Sequence, residues 1–101
     1  MSKETVTKIE IVNSIYEDLH ENVEKQIIQQ VIDSFLDTVK DSMIKGNDVQ
    51  LRGFGTFEPR LRKGREKARN PKNGKEVSVE PHYVAAFRAG KDLKDKMWDL
   101  K

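Results

Sequence analysis

Apolar residues recur at three- and four-residue steps through Ile9, Val12, Ile15, Tyr16 and Leu19, which predicts a first helix over about 8–19. Thr7 stands three residues before Glu10, a capping-box pattern at its start. His20-Glu21-Asn22 breaks the period, with Asn22 the expected cap of a second helix over about 23–45. That helix carries Ile27, Ile28, Val31, Ile32, Phe35, Leu36, Val39, Met43 and Ile44, a stripe too wide for one short neighbour to cover. Gly46-Asn47 closes it, because both residues adopt left-handed backbone angles at little cost.

Beyond Gly46 the period changes. Val49, Leu51, Phe54 and Phe57 read as strands interrupted by Gly53 and Gly55. From Pro59 to Lys67 the one large apolar side chain is Leu61, so the segment cannot offset its ordering entropy by burial and is either flexible or a solvent-exposed hairpin. Asn70-Pro71-Lys72-Asn73-Gly74 is a turn cluster. Val77 and Val79 alternate with polar residues on a return strand, and Tyr83, Val84 and Phe87 bring the chain back to a core. A last helix is expected over about 91–100, with Leu93, Met97 and Leu100 on one face. The expected order is two helices, a three-stranded sheet whose last two strands run on into a long hairpin, and a terminal helix: an α+β chain.

Charge changes the picture of the hairpin. Arg52 to Lys75 holds nine Lys and Arg against Glu58 and Glu66, whereas residues 1–51 hold five bases and ten acids. The whole-chain charge of +2 hides this separation. A contiguous cationic stretch anchored on both sides by aromatic residues suits a polyanion better than a loose tail would. With 36% hydrophobic residues and about 75 to 80 positions left once the hairpin projects, the core is short and a partner subunit is expected.

Alternation along a strand puts Arg60 and Arg62 on the same side, and a two-stranded ribbon is narrow enough for a DNA groove. Arginine suits a narrow, negative minor groove. Pro71 either sets the turn or acts as an apolar wedge between base pairs. There is no cysteine, hence no disulfide or thiolate metal site. No P-loop or nucleophile elbow occurs, and His20 and His82 do not stand at ligand spacing, so an enzyme is the least expected class. No cofactor is expected. No apolar run reaches a membrane span, and Met-Ser-Lys-Glu does not read as a signal peptide, so a cytoplasmic location is expected.

GFGTF, then ARNPKNGKEV, then VAAFRAGKDLKD, in that order, resemble the HU and integration host factor family of bacterial histone-like proteins over about residues 7–98. The resemblance implies an intertwined dimer, preferably a homodimer. Each subunit would be one domain over 1–101, with a helical base over about 7–46, sheet and saddle over about 48–58 and 80–90, a β-ribbon arm over about 59–79 and a short C-terminal helix. It implies phosphate and minor-groove contacts from Arg60, Arg62, Lys63, Arg65, Lys67 and Arg69, with Asn70 beside an intercalating Pro71 and Lys72 and Lys75 on the return side. Arg88, Lys91 and Lys94 would form a basic saddle, and Lys8 would reach flanking DNA. Phe54, Phe57 and Phe87, with Phe35, would form the dimer core. Lys8 is also expected to pair with Asp33 in the free protein and to be released on DNA.

The implied activity is DNA bending and nucleoid compaction largely without sequence specificity. Bent, nicked or flexible duplexes would be preferred, because they cost less to kink. Site-preferring bending, as by integration host factor, and binding of structured RNA are the alternatives. Four departures from the family pattern stand out. Phe57 to Pro71 is one residue longer than the common spacing, which implies a bulge in the outgoing strand. Pro59 replaces an aliphatic residue, Ala85 and Ala89 replace prolines, and the N-terminus and the tail around Trp98 are extended.

Overall fold

A computed structural model describes residues 3–69 and 74–100. The elements are α1 (Lys8–Leu19), α2 (Lys25–Ile44), β1 (Val49–Leu51), β2 (Gly55–Arg62), β3 (Arg65–Arg69), β4 (Glu76–Val79), β5 (His82–Ala89) and α3 (Lys91–Met97). The chain divides into two compact units, Met1–Asp41 with Asp99–Lys101, and Ser42–Trp98. The fold class is α+β.

The first unit starts at the predicted cap. Thr7 Oγ1 accepts from the Glu10 N–H at 3.4 Å, satisfying one of the free donors of the first turn. The Thr7 hydroxyl in turn donates to Glu10 Oε1 at 3.3 Å, so the carboxylate returns to the hydroxyl. Asn22 does not cap α2. Its N–H and that of Val23 both donate to the Leu19 carbonyl at 2.9 Å, closing α1, and α2 opens on the Glu24 carbonyl, which accepts from Ile27 and Ile28. The free carbonyls at the end of α1 take these amides first, which moves the start of α2 two residues on.

Helix α2 ends as expected. The Gly46 N–H bonds the Met43 carbonyl at 2.9 Å and the Asn47 N–H bonds that of Ser42 at 3.0 Å, with Gly46 at φ +88°. This pair of bonds satisfies carbonyls that the last turn leaves open, and it needs a residue that tolerates positive φ. Among the described residues, the buried hydrophobic side chains are Val12 and Ile28, and none is fully buried.

In the second unit β2 lies between β1 and β5, and all pairs are antiparallel. Strand β1 covers only Gly55 to Phe57 of β2. Pro59, paired with Ala85, therefore has β5 as its one neighbour, and its missing N–H breaks no second ladder. The β2–β5 register runs without a shift from Gly55↔Ala89 to Arg62↔His82.

The expected continuous hairpin is interrupted. Lys63-Gly64 and Glu80-Pro81 belong to no strand, and β3 and β4 form a separate two-stranded sheet. At this waist a Cβ on Gly64 would strike the Val79 carbonyl oxygen and lie 2.8 Å from the Pro81 ring, so the strands approach more closely than a side chain permits. Pro81 also lacks an amide donor for the ladder. Further out, Arg65 pairs with Val79 and Ala68 with Val77, so the outgoing strand spends one residue more than the return strand. That is the bulge implied by the longer spacing.

Helix α3 is shorter than expected. The Trp98 N–H reaches the Asp95 carbonyl at 3.2 Å, an i to i+3 closure, and the helix ends at Met97 with Leu100 outside it.

Gly55 is the tightest point of the sheet root. A Cβ there would lie 2.5 Å from Phe87 Cζ and 2.7 Å from the Arg88 carbonyl oxygen. Gly55→Ala is expected to destabilise the protein by about 1–3 kcal/mol, through displacement of the Phe87 ring, measured by urea unfolding at fixed protein concentration.

Candidate nucleic-acid interface

The unshifted β2–β5 register separates two kinds of side chain. Successive residues of a strand face opposite sides, and cross-strand partners share a side. Phe57 faces Phe87, Pro59 faces Ala85 and Leu61 faces Tyr83 on one side of the ribbon. Phe57 and Phe87 have ring centroids 4.9 Å apart, and Phe54 joins them at 5.2 Å from Phe87. The other side carries Glu58, Arg60 and Arg62 from β2 and His82, Val84, Ala86 and Arg88 from β5.

On that second side one carboxylate organises two guanidinium groups. Arg60 Nη2 donates to Glu58 Oε1 at 2.7 Å, and Arg88 Nη2 lies 3.6 Å from Glu58 Oε2. The Glu58 side chain is only 18% exposed, against 52% for Arg60 and 66% for Arg88. The acid is therefore more enclosed than the two cations that approach it. The hydrogen bond from Arg60 holds the Glu58 carboxyl below its ordinary value of 4.5, against a smaller upward push from burial, and the charges of Arg88 and Arg60 reinforce it.

Arg60 and Arg62 stand on β2 and Lys63 follows it at the waist. Arg65, Lys67 and Arg69 lie on β3, whose backbone alone is described, and Lys75 immediately precedes β4. Asn70, Pro71 and Lys72 lie outside the described residues. Lys91 and Lys94 stand exposed on α3, with Lys91 Nζ 3.2 Å from Asp95 Oδ2. In the first unit Lys8 Nζ donates to Asp33 Oδ1 at 2.7 Å, the pair expected of the free protein. Phe54, Phe57 and Phe87 cluster within the chain, while Phe35 lies on α2, 45% exposed.

Two functional candidates escaped the sequence reading. Glu58 was visible only as an acid among bases, although its two-residue offset from Arg60 on a strand puts both on one side. Arg52 entered the charge count without a role. It lines, with Gly53, Gly55, Thr56, Arg88 and Gly90, a cleft of about 260 Å³ beside the β1–β2 turn.

An α+β chain that presents a cationic face on a projecting two-stranded ribbon has the architecture of a β-arm nucleic-acid-binding protein. Residues 6–97 match the model of the family described as "Bacterial DNA-binding protein", and the chain belongs to that family. The fold is similar to that of Anabaena HU in a cocrystal with DNA, with a TM-score of 0.80 and 34% identity over 92% of this chain and 98% of that one. It is also similar to an HU variant from Thermotoga maritima, with a TM-score of 0.64 and 24% identity over 90% and 97% of the two chains, a likeness of fold alone. In sequence it is 53% identical to the DNA-binding protein HU of Staphylococcus aureus over 57 residues, 56% of this chain. That match spans 62% of the relative's length.

The depressed carboxyl of Glu58 gives a pH signature. A carboxylate whose folded-state pKa lies below its unfolded one adds stability above the ordinary value of 4.5, and that stability is lost as pH falls through the folded value. Glu58→Gln is expected to be less stable than the parent protein at neutral pH. The gap should close as pH drops below 4.5, followed by thermal melting of both proteins at equal concentration.

Proposed function

We propose that this chain is an architectural DNA-binding protein that acts as a homodimer, holding duplex DNA largely without sequence specificity and bending it. The observation that carries this reading is the cationic side of the β2–β5 ribbon, where Arg60, Arg62 and Arg88 stand exposed in one register and the bases of the β3–β4 arm continue the same stretch of chain. Two such arms and a saddle with Lys91 and Lys94 would neutralise on the order of 6 to 10 phosphates, with affinity falling by about 10³ to 10⁵ from low to moderate salt. The resulting compaction of DNA would take place in the bacterial nucleoid. Among the described residues no helix is long and apolar enough to cross a membrane.

The homodimer rests on apolar surface that one chain leaves uncovered. Phe54 and Phe87 are 46% and 40% exposed, and Val31, Phe35, Leu36, Ile44, Leu61 and Tyr83 are exposed as well. A soluble monomer rarely leaves so many large apolar groups in water. A second copy would cover them and supply the second arm. The Lys8–Asp33 pair would open as Lys8 reaches flanking phosphate.

Bending is assigned to Pro71, whose ring would enter a base step from the minor groove and unstack it. Preference for nicked, gapped or flexible duplexes follows, since those deform at lower cost. Pro71→Ala is expected to reduce the bend of a duplex labelled at both ends, read by fluorescence energy transfer, while changing affinity by less than about tenfold. An unchanged bend removes the wedge. Replacing Arg60 and Arg62 together with Ala is expected to weaken binding to unrelated duplex sequences about equally. It should also flatten the dependence of log affinity on log salt by about one unit for each phosphate no longer neutralised. A loss confined to one sequence would indicate base readout instead.

A further inference from the structure

The DNA-binding function uses the cations of the ribbon and leaves one acid unexplained. Glu58 stands in the middle of a surface meant for a polyanion, where a negative charge ought to weaken binding. Its exposure is nevertheless low, and both of its oxygens face arginines. We propose that Glu58 is a positioning residue of the DNA-binding surface, fixing Arg60 and Arg88 as a preformed pair that receives backbone phosphate. This inference rests on the DNA-binding reading and adds to it.

Register explains how one carboxylate serves both strands. Arg60 follows Glu58 by two positions, hence on the same side of β2. Across the ladder Glu58 faces Ala86, whose methyl group leaves room over the carboxylate. Arg88 is the next same-side residue along β5 and faces Thr56. Its guanidinium approaches Glu58 diagonally from one end while Arg60 approaches from the other. A larger residue opposite Glu58 would occupy the space where the two side chains converge.

The contacts leave each arginine able to bind. A guanidinium has five N–H donors, and the contacts with Glu58 each engage one nitrogen, Nη2. Both arginine side chains are more than half exposed. Without Glu58, two cations on neighbouring strands would repel each other and each long side chain would sample many rotamers. Ordering them on binding would then cost conformational entropy that is here spent in folding. The triad keeps a net charge of +1, and its acid is the most enclosed of the three, so phosphate can approach the outer edges of both forks without displacing the carboxylate.

The test compares Glu58→Gln and Glu58→Asp with the unaltered protein. Each is titrated into a fluorescently labelled duplex over a salt series, alone and in a protein carrying Arg60→Ala and Arg88→Ala. Thermal melting at the binding temperature confirms that each variant is folded. Positioning predicts that Gln weakens binding by about three- to tenfold, although it removes a negative charge. It predicts that Asp, which keeps the charge but is too short to reach both arginines, also weakens binding. Both losses should shrink to less than about twofold when the two arginines are absent, as coupled residues require.

Tighter binding and a steeper salt dependence in Glu58→Gln would show an acid that merely subtracts charge. Parent-like binding by Glu58→Asp, or a loss that persists without the arginines, would overturn the proposal equally. These outcomes are separable from failure of the functional reading, in which the unaltered protein binds no duplex at all.

Discussion

The unbroken antiparallel pairing of Gly55–Arg62 with His82–Ala89 is the constraint on which the rest depends. Alternation along both strands turns a sequence of mixed character into two surfaces of opposite chemistry. Phe57, Phe87, Leu61 and Tyr83 fall on one side, and Arg60, Arg62 and Arg88 on the other. A slip of one residue would exchange every position and put arginines among aromatic rings. The register is held at its root, where Gly55 admits the Phe87 ring against its backbone and the Gly90 N–H bonds the Phe54 carbonyl at 2.8 Å. Packing at the root thereby fixes electrostatics further along the ribbon.

The same pairing explains why one chain does not complete its own core. A ribbon that carries cations on one side offers only its other side for burial, and that side ends in exposed Leu61 and Tyr83. On α2 the apolar residues occupy more than one stripe, and Val31, Phe35 and Leu36 remain exposed. Chains of about this size have little interior relative to surface, so giving a ribbon to solvent leaves too few residues to cover these groups. The shortfall in burial and the arm are two consequences of one allocation of residues, and in the proposed homodimer a second copy would answer both by covering the apolar side and doubling the arms.

Much of this was legible in the sequence where the controlling interaction is local. The Thr7 cap, the Gly46-Asn47 closure and the helical periods each depend on residues within a few positions, and they appear as expected. Asn22 was misread because two helix ends compete for it, and its amide, not its side chain, decides the outcome. The length of α3 depended on a single i to i+3 bond at Trp98. The waist at Gly64 could not be read locally, because the atoms that exclude a side chain there come from Val79 and Pro81 on the returning strand. The bulge before Ala68 was legible only as a spacing one residue longer than the related pattern. Arg60 and Arg88 were both expected from the sequence to face DNA, but their common partner Glu58 was hidden until the register brought distant parts of the chain onto one side.

The waist and the bulge together would bear on how the arm meets a duplex under the proposed function. Beyond Arg62 the β2–β5 ladder stops, and the β3–β4 ladder resumes with the same pairing sum at Arg65 and Val79 before gaining its extra residue. The first interruption leaves the register intact, so it does not change which residues face each other. The second changes the register itself. A bulge adds local twist, and a groove is a helical track that a flat ribbon cannot follow for long. Residues lost to regular pairing at these two places shape the arm at some cost in ladder hydrogen bonds. Pro81 and Gly64, each unfavourable in an ordinary strand, are suited to the one place where the ladder is already broken.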